Sequence, residues 1–175
     1  MPKLTVTELK KQLATKSKEE LIQEIAILYQ KIPEVKEFYQ LQTGDARQVA
    51  EKYKDIIVKE FAGKGRAFPK ARLSAGKKAV SDFKKLSDDP ELVSDVMLTY
   101  VESVSSFNDE YSVKDEDYYT SPEDMFEVAL ALLKKYNLLD KFQARAQKIV
   151  KDATDSYGHY DSLKERYKEV YGELA

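Results

Sequence analysis

The sequence predicts an all-α protein of about eight or nine helices joined as antiparallel hairpins. Three observations predict it. Apolar residues recur at spacings of three and four along nearly the whole chain, no segment alternates apolar and polar residues over a strand's length, and helix-start signals precede the periodic runs. The connections between those runs are short, which makes sequence neighbours antiparallel. The chain of 175 residues reads as one helical domain over 1–175.

Val6, Leu9 and Leu13 mark a first short helix. Ser17-Lys18-Glu19-Glu20 is a capping-box signature, in which the serine oxygen takes the amide three residues on and Glu20 reaches back. Leu21, Ile22, Ile25, Leu28, Tyr29 and Ile32 then form one apolar stripe, and Pro33 ends that helix or opens the next, with Val35, Phe38 and Tyr39. Thr43-Gly44-Asp45 breaks the pattern. Val49, Tyr53, Ile56, Ile57 and Phe61 mark a further helix, with Gly63 suited to its C′ position. Val80, Phe83 and Leu86 continue the spacing as far as Ser87-Asp88-Asp89-Pro90, a stop followed by a start. Leu92, Val93, Val96, Met97, Tyr100, Val101, Val104 and Phe107 give a wide apolar face. Asn108 to Thr120 is the longest predicted break, and Ser121-Pro122-Glu123-Asp124 is read as the opening of the next helix. Leu139 to about Asp155 is another helix, Ser156 to His159 a turn, and Tyr160, Leu163, Tyr167, Val170, Tyr171 and Leu174 a last amphipathic face. A row of hairpins, each covering its neighbour's apolar face, predicts a HEAT-like α/α superhelix, with a globular multihelical bundle as the alternative.

Composition excludes several chemistries. The chain has no cysteine and one histidine, His159, so thiolate zinc sites, disulfides, thiol catalysis and paired-histidine di-iron sites are out of reach. No metal and no cofactor is expected. The cysteine-free composition suits a cytoplasmic location. The N-terminal MPKLTVTELKK lacks a signal-peptide core, and no run approaches the ~18 apolar residues of a membrane span. His159 follows Gly158 between tyrosines with no nucleophile identifiable beside it, so a turn or capping role is expected and catalysis is not.

Net charge is −2, but it is unevenly spread. Lys64 to Lys85 holds eight basic residues and one acid, and Asp109 to Glu127 holds eight acids and one lysine. The two segments either pair with each other or present separate patches to partners. Lys64, Arg66, Lys70, Arg72, Ser74, Gly76, Lys77 and Lys78 are candidate contacts to an anion or nucleic acid. Asp115, Glu116, Asp117, Tyr118 and Tyr119 are a candidate acidic partner patch. That acidic loop lacks the spacing and the glycine of a calcium loop. Gly76-Lys77-Lys78 is not a nucleotide-binding loop, because Ala71 stands where the first glycine belongs and no strand precedes it. If the helix here starts after Ser74, its first turn offers an anion site. If it starts near Lys70, then Lys70, Lys77 and Lys84 form a solvated stripe and Gly76 faces inward for a close helix contact.

The stretches LTVTELKKQL, SKEELIQEI, LYQKIPEVKEFY, LSAGKKAVSDFKKLSDDPELVSDVMLTYVE and SPEDMFEVALALLKKYNLLDKFQARAQKIV resemble an uncharacterised bacterial family, a domain of unknown function. The resemblance implies an all-helical protein and supplies no active site. The first 28 residues also resemble part of a SAP motif, a helix-loop-helix that binds DNA. Val6, Glu8, Leu9, Lys10 and Leu13 match its first helix, and Lys18, Leu21 and Ile22 the start of its second. Its loop is about six residues longer than Ala14-Thr15-Lys16-Ser17. The expected function is non-enzymatic binding of another protein by a helical-repeat-like scaffold. The alternative is nucleic-acid binding through Lys64 to Lys85.

Overall fold

The computed structural model describes residues 4–44, 46–62 and 68–174. Among them are nine α-helices, one 3₁₀ turn and no strand. The helices are α1 Val6–Leu13, α2 Lys18–Lys31, α3 Pro33–Gln42, α4 Ala46–Phe61, α5 Leu73–Leu86, α6 Pro90–Tyr111, α7 Asp117–Lys135, α8 Leu139–Lys151 and α9 His159–Tyr171. The fold is all-α, as the periodicity requires. Local signals set several of its starts. Thr5 and Ser17 cap α1 and α2 in full capping boxes with Glu8 and Glu20, Pro33 is the first residue of α3, and Asp89 caps α6 by accepting from the Glu91 and Leu92 amides ahead of Pro90.

The core forms around α6, the longest helix, which contacts α4, α5, α7 and α8. Ile57, Phe83, Val96, Tyr100, Val104, Phe126, Leu133, Ala146 and Leu163 are fully buried in one contiguous cluster that runs from α4 to α9. A central helix touched on several sides is the packing of a multihelical bundle. The cluster starts at Val49, and α1 and α2 bury no residue. The first two helices therefore form an arm on α3. Glu37 ties α3 to α4: it accepts from the Tyr53 hydroxyl at 2.7 Å and from the Lys52 ammonium, and burial together with this bond raises the Tyr53 pKa.

Two boundaries differ from the sequence expectation. The break after Asn108 is shorter, because α6 continues to Tyr111 and α7 begins at Asp117, which puts Pro122 inside a helix. Proline has no N–H to offer the carbonyl four residues back, here that of Tyr118. The Asn108 side-chain amide donates to that carbonyl at 2.6 Å, so a contact between helices satisfies it. The helix after Pro69 starts neither at Lys70 nor after Ser74. Ala71 has φ 50°, which no helix continues through, and α5 begins at Leu73. Ala71 is held there because its N–H donates to the Glu60 carbonyl at 2.8 Å and its carbonyl accepts from the Tyr118 hydroxyl at 2.7 Å. Gly63, expected as the C′ residue of α4, lies outside the described residues.

Candidate functional site

The basic segment divides into paired and unpaired cations. Arg72 Nε and Nη2 grip both oxygens of Glu60 at 2.8 and 3.0 Å, and the Arg72 backbone N–H donates to the same carboxylate at 3.0 Å. Lys78 and Lys85 both bind Asp82. Lys70, Lys77 and Lys84 are exposed and make no ion pair among the described residues. Lys64 and Arg66 lie outside the described residues. Ser74 is exposed and does not cap α5; Arg72 occupies the cap position, and its own backbone N–H donates to the Glu60 carboxylate. An anion site with Ser74 as the cap does not form in that way, because α5 begins at Leu73 with Arg72 at the cap position.

The bonds from Arg72 hold the Glu60 carboxyl below its ordinary value of 4.5. A folded-state pKa below the unfolded one gives stability that is complete above 4.5 and is lost as pH falls through the lowered value. In thermal melts below about pH 4.5, Glu60→Gln should therefore lose less midpoint temperature per pH step than the parent chain.

Gly76 faces inward, as the solvated-stripe alternative expected, and lies against Tyr100 and Phe61. Beside it, α5 and α7 flank an open groove of about 470 Å³ floored by α6. Val80, Met97, Met125 and Val128 give it an apolar lining, Lys77, Lys84 and Lys85 stand on its α5 side, and Asp124 stands on its α7 side. The groove exists because Gly76 lets α5 approach α6 while α7 packs along the other side of α6.

The acidic segment is less of a patch than the sequence implies. Asp115, Glu116 and Asp117 are exposed, but Tyr119 is buried and donates to the Val113 carbonyl at 2.7 Å. Tyr118 is half-buried, with its hydroxyl on Ala71. Both rings pack toward the core, since apolar ring area is better covered than exposed. Among the described residues no ion pair joins the basic segment to the acidic one. Glu123, Asp124 and Glu127 turn to Arg166 on α9, and the basic side chains turn to Glu60 and Asp82.

His159 is not an exposed turn residue. It is the first residue of α9 and is completely buried. Its Nδ1 lies 2.7 Å from Glu123 Oε1 and its Nε2 2.9 Å from Ser105 Oγ, while Glu123 Oε2 accepts from the Ser162 hydroxyl at 2.6 Å. Serine, histidine and carboxylate in this order copy the connectivity of a nucleophile, base and orienting acid. Ser105 also borders a polar cleft of about 330 Å³ with Glu102, Asp109 and Lys148. Among the described residues, no free backbone amide flanks Ser105. Ser105 sits inside α6, where neighbouring backbone amides are spent on the helix ladder. The trio instead bolts α6, α7 and α9 together. Sequence reasoning missed it because Ser105 and Glu123 stand 54 and 36 residues from His159, and no local spacing encodes such a meeting.

The molecule is therefore an all-α bundle with a lysine-rimmed apolar groove, a buried Ser-His-Glu network and an N-terminal helical arm. A family of unknown function (DUF6155) matches residues 4–171, and the chain belongs to that family. No curated protein and no solved structure matches it. Among the described residues no helix is long and apolar enough to cross a membrane, and no cluster of acids and histidine is arranged to hold a metal ion.

Proposed function

We propose that this chain is a non-catalytic helical protein-binding module whose α5–α7 groove receives an acidic, amphipathic helix of a partner protein. The observation that carries the reading is the groove itself: an apolar lining beside Lys77 and Lys84, which make no ion pair among the described residues, with the lone acid Asp124 on the opposite, α7 side. Lys77 and Lys84 are seven residues apart on α5, two helical turns and about 10 Å. A partner helix with carboxylates at the same spacing would meet both, with its apolar side on Met97 and Met125. Methionine suits such a surface because its flexible thioether adapts to varied side chains. The non-catalytic half is supported by the position of Ser105 inside α6, where the neighbouring backbone amides are spent on the helix ladder. A cytoplasmic location belongs to the same proposal, supported by the cysteine-free composition. Nucleic acid is the weaker reading. Arg72, Lys78 and Lys85 are committed to Glu60 and Asp82, and an apolar groove floor has nothing to offer a phosphate backbone.

The test places a photo-crosslinking amino acid at Val128, on the groove edge. The expected product is a protein partner whose crosslinked peptide is acidic and amphipathic, with yield falling at least tenfold in the Lys77→Glu/Lys84→Glu variant. Crosslinks that ignore this double substitution, or that go only to nucleic acid, would overturn the proposal.

A further inference from the structure

We infer that Ser105 is a nucleophilic modification site, which takes the acyl group of a small activated ester or thioester with His159 as its base. Three other hydroxyls on α6 donate back to the carbonyl four residues earlier: Ser94 to Pro90 at 2.7 Å, Thr99 to Asp95 at 2.9 Å and Ser103 to Thr99 at 2.7 Å. That bond is the ordinary resting place of a helical hydroxyl. Ser105 differs, because its hydroxyl meets His159 Nε2 at 2.9 Å. The far side of the ring sets the proton positions. An ionised Glu123 only accepts, so His159 Nδ1 carries the hydrogen that reaches Oε1 at 2.7 Å. In the neutral ring Nε2 is then a bare lone pair, and the Ser105 hydroxyl donates to it. The Ser162 hydroxyl holds Glu123 Oε2 at 2.6 Å and the ring is completely buried, so the alignment of base and nucleophile does not depend on a ligand.

The cleft of about 330 Å³ that Ser105 borders with Ser106 and Lys148 is a volume at the lower end of small-molecule sites, enough for a small ester. In the step, Ser105 Oγ bonds to the carbonyl carbon and its proton passes to His159 Nε2. The ester C–O bond, or the thioester C–S bond, breaks. The leaving group departs with the bonding pair, and the proton on His159 passes to it or to water. Nothing is oxidised or reduced. Turnover is a separate matter. Hydrolysis of the acyl-serine needs donors to the oxyanion, and the amides around Ser105 are spent on the α6 ladder. The modification is therefore stoichiometric, and only a donor with a good leaving group drives it.

The probe is p-nitrophenyl acetate on the full chain, followed by nitrophenolate absorbance and by fragment-ion mapping of the acetylated peptide. Ser106 is the internal control: it is exposed and lines the same cleft, but its hydroxyl does not bond His159. Better exposed but without a base, it should be acetylated at least about a hundredfold more slowly than Ser105. The expected result is a burst of one nitrophenolate per chain and one acetyl group on Ser105. Hydroxylamine should remove that group, as it removes an ester and not a lysine amide, and Ser105→Ala should lose the burst. Acetylation of Ser106 or Lys148 with none on Ser105 overturns the inference, as does a burst that survives Ser105→Ala. Release that continues past one equivalent and is lost in Ser105→Ala would support the nucleophile and overturn the non-catalytic part of the proposed function. None of these outcomes depends on the α5–α7 groove.

Discussion

Replacing His159 with alanine is expected to cost about 3–5 kcal/mol of folding stability, the largest effect of any polar substitution in this chain. The ring has no exposed surface and fills the junction of α6, α7 and α9, where it also meets Tyr119 edge-on at 5.7 Å. Without it, the Glu123 carboxylate and the Ser105 hydroxyl remain buried with one partner fewer each. A carboxylate in that position keeps its desolvation cost and loses the N–H that offset it. Urea unfolding is the direct measurement, and at a slope of about 2 kcal/mol per molar the midpoint should drop by about 2 M. Glu123→Gln keeps the shape and an acceptor oxygen, so it should cost less than His159→Ala. A loss below about 1 kcal/mol for His159→Ala would mean that water reaches the trio in solution.

Gly76→Ala should also destabilise, although helix propensity alone favours alanine by about 1 kcal/mol. The added Cβ would stand 2.7 and 2.8 Å from Tyr100 ring atoms and 2.9 Å from a Phe61 ring atom. Neither ring is free to swing. Tyr100 is fully buried, with its hydroxyl 2.6 Å from Ser121 Oγ, and Phe61 packs edge-on against it at 6.0 Å. Burial pushes the Tyr100 hydroxyl up to about 12, so it keeps its proton and its bond at neutral pH. Relief has to come from α5 moving off α6, and overpacking of this kind costs about 1–3 kcal/mol net. The same movement widens the α5–α7 groove, so partner affinity should fall with the melting temperature. A variant as stable as the parent would show that α5 and α6 have slack.

Much of the helical framework was legible because its causes are local. The capping box at Ser17, prolines at the starts of α3 and α6, and apolar spacing act within about four residues of the backbone they order. The inward side of Gly76 could be read for the same reason, since helical phase relative to Val80 and Phe83 fixes it. Legibility failed wherever a distant residue decided the outcome. Pro122 looked like a helix start, but Asn108 satisfies the carbonyl it frees and α7 begins earlier. Ser74 looked like a cap, but Tyr118 and the Glu60 backbone hold Ala71 at positive φ and move the start to Leu73.

The candidate sites follow the same division. The sequence by itself determined an all-α chain, the absence of thiol and multi-histidine chemistry, and the apolar stripe of α2. Only the tertiary structure decided that His159 sits in the core between Ser105 and Glu123, that Tyr119 turns inward, and that among the described residues the ion pairs of the basic and acidic segments go to other residues and not to each other. The physical reason is range. Helix periodicity and capping are set by neighbours along the backbone, whereas burial of a polar side chain and the choice of its counter-charge depend on helices that meet only when the core closes.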